Sequence, residues 1–108
     1  MKRKIADKTI LVTGASSGIG RELTQQLARL GARLLVTARR GELLDSLVRE
    51  VRQTHPDREI QFLAGDITDA DFRASLMDHV QKHWGRLDGL VNNAGVGAMG
   101  RFADSTSA

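Results

Sequence analysis

The chain has 108 residues, 41% of them apolar, which is one domain's worth of chain with enough apolar content for a core. It has no cysteine, so neither a disulfide nor a thiolate zinc site is available. Lys2, Arg3 and Lys4 carry the net charge of +3, leaving thirteen basic against thirteen acidic residues, and one Trp with three Phe cannot supply the stacking surface that nucleic-acid binding needs. No apolar run approaches the roughly 20 residues that span a bilayer, and Asp7 and Lys8 stand where the apolar region of a signal peptide would start. A soluble, cytoplasmic protein is expected, with neither nucleic acid nor membrane as a partner.

In chain order, Thr9–Val12 is an apolar, β-branched run of the kind buried on both faces of a parallel sheet. A glycine-rich stretch, Gly14-x-x-x-Gly18-x-Gly20, opens directly into a helical pattern. That helix begins near Gly18 and carries Ile19, Leu23, Leu27 and Leu30 as one stripe expected to face the sheet. Gly31 is placed to end it with a positive φ. Leu34–Thr37 is the second strand. Gly41–His55 is the second helix, with Leu43, Leu44, Leu47, Val48 and Val51 inward and Pro56 just past its end. Ile60–Ala64 is the third strand. Thr68 or Asp69 caps a third helix expected to bury Phe72, Leu76, Met77, Val80 and Trp84 before Gly85 closes it. Leu87–Val91, the fourth strand, runs into Asn92-Asn93-Ala94-Gly95, and Val96–Ala108 has no clear period and reads as loop or the start of another helix.

Strands alternating with helices through short connections imply an α/β fold, a parallel sheet wound by right-handed crossovers. A strand, a tight glycine turn and a helix N-terminus together make a site for a pyrophosphate. Glycine lets the backbone approach the phosphates, and free amide N–H groups with the positive end of the helix dipole face the anion. By analogy with dinucleotide-binding folds the strand order is 3-2-1-4, which sets the glycine turn and the Asn92–Gly95 turn side by side at one end of the sheet.

Thr13-Gly14-Ala15-Ser16-Ser17-Gly18-Ile19-Gly20 and Asn92-Asn93-Ala94-Gly95, in that order and separation, resemble the short-chain dehydrogenase/reductase family. The resemblance runs over nearly the whole chain but covers only that family's N-terminal, cofactor-binding half. It implies a Rossmann-type doubly wound sheet, truncated after about four strands, with residues 1–108 forming the dinucleotide-binding domain. Gly14, Gly18 and Gly20, with Ser16, Ser17 and Ile19, would then surround the pyrophosphate. Asp66 would bond the adenine amino group, and Ile67 would lie beside the ring. Asn92, Ala94 and Gly95 would line the crevice near the nicotinamide ribose. At the end of the second strand Ala38 stands where NAD-preferring members have an acid, and Arg39 follows it. A carboxylate there would repel a 2′-phosphate whereas a guanidinium can grip it, so NADP is expected over NAD.

The activity the resemblance implies is reversible hydride transfer between nicotinamide and a carbonyl or alcohol carbon. In the family a tyrosine serves as acid/base, a lysine four residues later lowers its pKa, and a serine polarises the carbonyl. This sequence contains no tyrosine, so no Tyr-x-x-x-Lys is present and no catalytic residue is assigned. The 108 residues alone are expected to be inactive. A small-molecule substrate, and the homo-oligomers usual in the family, belong to a full-length form. The alternative is a non-catalytic, stand-alone dinucleotide-binding module; Leu90 and Val91, apolar and unprotected on an edge strand, argue against it. His79 and His83 lack the Glu that a zinc-protease helix places directly after its first His. Asp66, Asp69 and Asp71 lack the glycine and distal Glu of a calcium loop. No metal site is expected, and the two histidines read as a solvated helix face.

Overall fold

Successive side chains of a strand point to opposite faces, so an unbroken apolar run must be covered on both sides. Four such runs dictate the architecture here. The computed structural model describes residues 5–93. The elements are β1 (Thr9–Thr13), α1 (Gly18–Arg29), β2 (Arg33–Ala38), α2 (Gly41–Thr54), β3 (Ile60–Ala64), α3 (Ala70–Trp84) and β4 (Gly89–Asn92). The sheet has the expected order β3-β2-β1-β4 with every pair parallel. Lys2, Arg3, Lys4, Ala94, Gly95 and the segment 96–108 lie outside the described residues.

Ile10, Val12, Leu34, Val36 and Ile60 face α1 and α2, where they meet Ala28, Leu44, Leu47, Val48 and Val51. Leu11 and Leu35 face the other way, onto Leu76 and Val80 of α3. Each fully buried Leu or Val contributes about 1.5–3 kcal/mol relative to leaving it in water. No helix among the described residues is long and apolar enough to cross a membrane.

The helix faces differ from the sequence expectation in an instructive way. The buried line of α1 is Gly20, Thr24 and Ala28, not the leucine stripe. Leu23 and Leu27 flank it half-buried, while Ile19 and Leu30 are 68% and 56% exposed. Small residues let this helix lie closer to the sheet than a row of leucines would, and the Thr24 hydroxyl satisfies itself on the Gly20 carbonyl (2.8 Å). Leu30 is the C-cap residue of α1, past the turn that packs. Leu43 and Met77 are likewise turned outward. Leu43 belongs to the first turn of α2, where its carbonyl accepts from Arg21, and Leu76 takes the inward place on α3 that Met77 would share.

Element ends are closed as the sequence indicates. Gly31 adopts φ +96°, and its N–H and that of Ala32 bond back to Ala28 and Leu27, a Schellman stop. Asp69, not Thr68, caps α3 by accepting from the Asp71 N–H. β4 starts at Gly89 and runs to Asn92 instead of spanning Leu87–Val91. Asp88 causes the shift, because its N–H bonds the Thr9 carbonyl (2.8 Å) while its carboxylate turns back onto the Thr9 N–H (2.8 Å), closing the ladder there.

Candidate functional site

β1 and β4 are neighbours, so the turns leaving their C-terminal ends meet. In the first, Gly14 takes φ +64°, a left-handed conformation costly for any side chain. Ser17 caps α1: its Oγ accepts from the Gly20 N–H (3.1 Å) and donates to the Gly14 carbonyl (3.0 Å), and its carbonyl takes the Arg21 N–H (2.8 Å). The N–H groups of Gly18 and Ile19 have no acceptor among the described residues. They point out of the helix start, where the dipole favours an anion.

The glycines of this turn divide the work. A Cβ at Gly20 would lie 2.3 Å from the Gly14 carbonyl oxygen and 2.8 Å from the Ala15 Cα, so glycine there is what lets helix and turn touch. A Cβ at Gly18 would meet nothing within 4 Å. That open space lies beside the two donors, and the residues present fit a pyrophosphate. Ser16 is half-buried under the turn, and Ser17, Gly18 and Ile19 are exposed on it.

Asn92 and Asn93 tie the second turn to the first. The Thr13 hydroxyl donates to Asn92 Oδ1 (2.9 Å) and accepts from the Asn93 N–H (3.0 Å). Asn93 Nδ2 reaches across to Ser17 Oγ (3.0 Å) and the Gly14 carbonyl (3.3 Å). The sequence reading assigned Asn92 to the crevice and gave Thr13 no role; Thr13 and Asn93 both hold the glycine turn in place. The available signal was positional: Thr13 directly precedes the glycine turn, and Asn93 is the next residue after Asn92. Ala94 and Gly95, assigned to the same crevice, lie outside the described residues.

The rim continues across β2 and β3. Arg39 follows β2 and Asp66 follows β3, and their charged groups stand 3.6 Å apart, with side chains 74% and 48% exposed. Asp66 Oδ1 accepts from the Thr68 hydroxyl (2.7 Å) and the Thr68 N–H (2.9 Å). These bonds, chiefly the hydroxyl's, hold the carboxyl below the ordinary aspartate range, with the Arg39 charge adding to them. Ile67 is half-buried and packs against the α3 side of the core. A Cβ added at Gly65 would lie 2.3 Å from the Phe72 ring, which would have to turn aside to admit it.

His79 and His83 lie away from this rim on α3, stacked with ring centroids 4.0 Å apart. His83 is exposed, but His79 is half-buried and bonds Gln61 on β3, so the pair is only in part a solvated face. Among the described residues no group of three or more His, Cys, Asp or Glu could hold a metal ion.

The sequence profile of the short chain dehydrogenase family matches residues 8–108. The chain is 37% identical over 102 residues to an 11-beta-hydroxysteroid dehydrogenase-like 3 of Arabidopsis thaliana, covering 94% of this chain and 33% of that protein. It is 33% identical over 98 residues to the NADPH-dependent reductase BacG of Bacillus subtilis (strain 168), covering 91% and 38%. Among solved structures, L-sorbose reductase from Gluconobacter frateurii, complexed with NADPH and L-sorbose, superposes with a TM-score of 0.82 at 30% identity, covering 90% of this chain and 36% of that one. The chain thus spans about a third of the length of the curated relatives it matches.

Proposed function

This chain belongs to the short-chain dehydrogenase family, and we propose that it forms the NADP-binding part of an enzyme that moves hydride reversibly between nicotinamide and a carbonyl or alcohol carbon. One observation carries the reading. At the C-terminal end of the sheet lie an empty-sided Gly18 and two N–H groups with no acceptor among the described residues, beside a β2 end where Ala38 stands in place of the acid of NAD-preferring relatives and Arg39 follows it.

In this reading the N–H groups of Gly18 and Ile19 receive the pyrophosphate, on a turn shaped by Gly14 and Gly20 and bordered by Ser16 and Ser17. Arg39 grips the 2′-phosphate. Asp66 meets the adenine amino group, with Ile67 beside the ring. Asn92, followed by Ala94 and Gly95, borders the nicotinamide ribose. When bound, the nicotinamide supplies or accepts the hydride; the residues of this chain bind and orient it and do no proton transfer. The acid/base tyrosine and its lysine would come from a longer protein, as would the substrate pocket and any homo-oligomer interface. Cytoplasmic placement belongs to the same proposal. NADPH-bound and NADPH-dependent relatives support the cofactor choice.

The test is a titration of the full-length protein with NADPH and NADH, with turnover followed on a panel of simple ketones and aldehydes. Tighter NADPH binding and NADPH-dependent reduction are expected, with no turnover by the 108 residues alone. Equal or tighter NADH binding overturns the cofactor choice. Carbonyl reduction by the 108-residue chain overturns the division of labour.

A further inference from the structure

Ala38 and Ala64 are register partners at the ends of β2 and β3, so the residues just beyond them share one stretch of rim. There the two charges are held unequally. Asp66 is anchored by two bonds from Thr68 to one carboxylate oxygen. Arg39 is the long-stemmed partner at 3.6 Å, its side chain 74% exposed. An anion approaching Arg39 therefore meets a guanidinium already engaged, with a fixed negative charge behind it.

We propose that Asp66 sets how strongly this chain prefers a 2′-phosphate over a 2′-hydroxyl, weakening the preference by occupying Arg39 and by repelling the phosphate. The inference rests on the NADP reading above. Both effects act on a phosphate and spare a hydroxyl, so they appear in the ratio of NADPH to NADH affinity. Any contact of Asp66 with the adenine is common to the two dinucleotides and cancels in that ratio. Exposed charges a few ångströms apart in water interact modestly, so the ratio should change by about three- to tenfold.

The experiment measures dissociation constants of NADPH and NADH on the full-length protein for wild type, Asp66→Asn, Arg39→Ala and the double variant. Asparagine keeps an oxygen for both Thr68 donors, so the turn survives the loss of charge. The expected result is an NADH-to-NADPH ratio of dissociation constants about three- to tenfold higher in D66N than in wild type, close to one in R39A, and a smaller response to D66N once Arg39 is gone. A D66N ratio equal to or below that of wild type, with R39A still collapsing the preference, overturns this inference and leaves the NADP reading standing. A wild-type ratio near one that R39A does not change overturns the NADP reading, and this inference with it. Should D66N bind neither dinucleotide, Asp66→Ser removes the charge with a smaller side chain and is read by the same ratio.

Discussion

The two ends of the sheet are built on the same strands and behave as opposites. At the N-terminal end side chains close onto the strand and helix ends. Asp88 closes onto the Thr9 N–H and pairs with Arg86 at 2.7 Å, Arg33 donates to the Thr9 hydroxyl (3.1 Å), and Arg58 donates to the Ala28 carbonyl at the end of α1. At the C-terminal end the Gly18 and Ile19 N–H groups have no acceptor among the described residues, Ile19 lies in solvent, and the Arg39–Asp66 and Arg40–Glu42 ion pairs are exposed and wide. The first end is closed by its own bonds; the second, on the proposed reading, keeps hydrogen-bonding capacity for a ligand. Substitutions at the two ends should therefore separate folding from binding.

The most damaging change should be Gly20→Ala, where helix and turn have no room for a methyl group. Overpacking against backbone on this scale costs about 3 kcal/mol, so chemical denaturation should show a much lower midpoint. Unchanged stability would mean that α1 can move off the turn, and the contrast between the glycines would fail.

Next comes Asp88→Asn, which removes a charge-assisted bond at the stable end and should cost about 1–2 kcal/mol. The Thr9 N–H bond chiefly, with Arg86 and Lys8, holds this carboxyl below the ordinary aspartate range. A depressed folded pKa means that the unfolded chain binds the proton more readily. The stabilisation is therefore complete above the unfolded value of about 3.9 and is lost as pH falls through the lower folded value. Denaturation midpoints measured against pH should fall at the acid end for the wild type and be flatter in D88N. Parallel curves would contradict the assignment.

His79 should give the mildest signal. Burial, followed by the nearby His83 charge, lowers its pKa from the usual value, with Asp78 opposing. The fold thus prefers the neutral ring, and its contribution is present above about pH 6.5 and declines as pH falls below it. NMR titration should place His79 below the usual histidine value, and a midpoint at or above that value would show that the ring is not shielded as its burial requires.

Much of this contrast is legible in the sequence because glycine, proline and capping residues act locally. Gly31, Gly85 and Asp69 sit where helices must start or stop, and four apolar runs with intervening helices fix the parallel sheet. The face of α1 was not legible. Apolar periodicity picks out leucines, whereas close approach to the sheet selects Gly20, Thr24 and Ala28, which carry little hydrophobic signal. What Thr13, Asn93 and Asp88 bond was missed for a related reason. Each acts on a residue 76 to 80 positions away, and such a bond has no local pattern. The glycine turn at Gly14, Gly18 and Gly20 was readable from spacing, but what each glycine does in the fold needed the φ of Gly14 and the distances around an added Cβ at Gly18 and Gly20.

Gly18→Ala puts the whole account to trial, because it adds one methyl group where the fold has room and a phosphate is proposed to sit. Thermal melts of the full-length wild type and G18A, with and without saturating NADPH, make the measurement. The account predicts that without cofactor G18A melts at or slightly above the wild-type temperature, since alanine is the better helix residue, and that NADPH raises the wild-type melting temperature and leaves that of G18A nearly unmoved. An equal NADPH-induced rise in both proteins would show that the phosphates do not lie over Gly18.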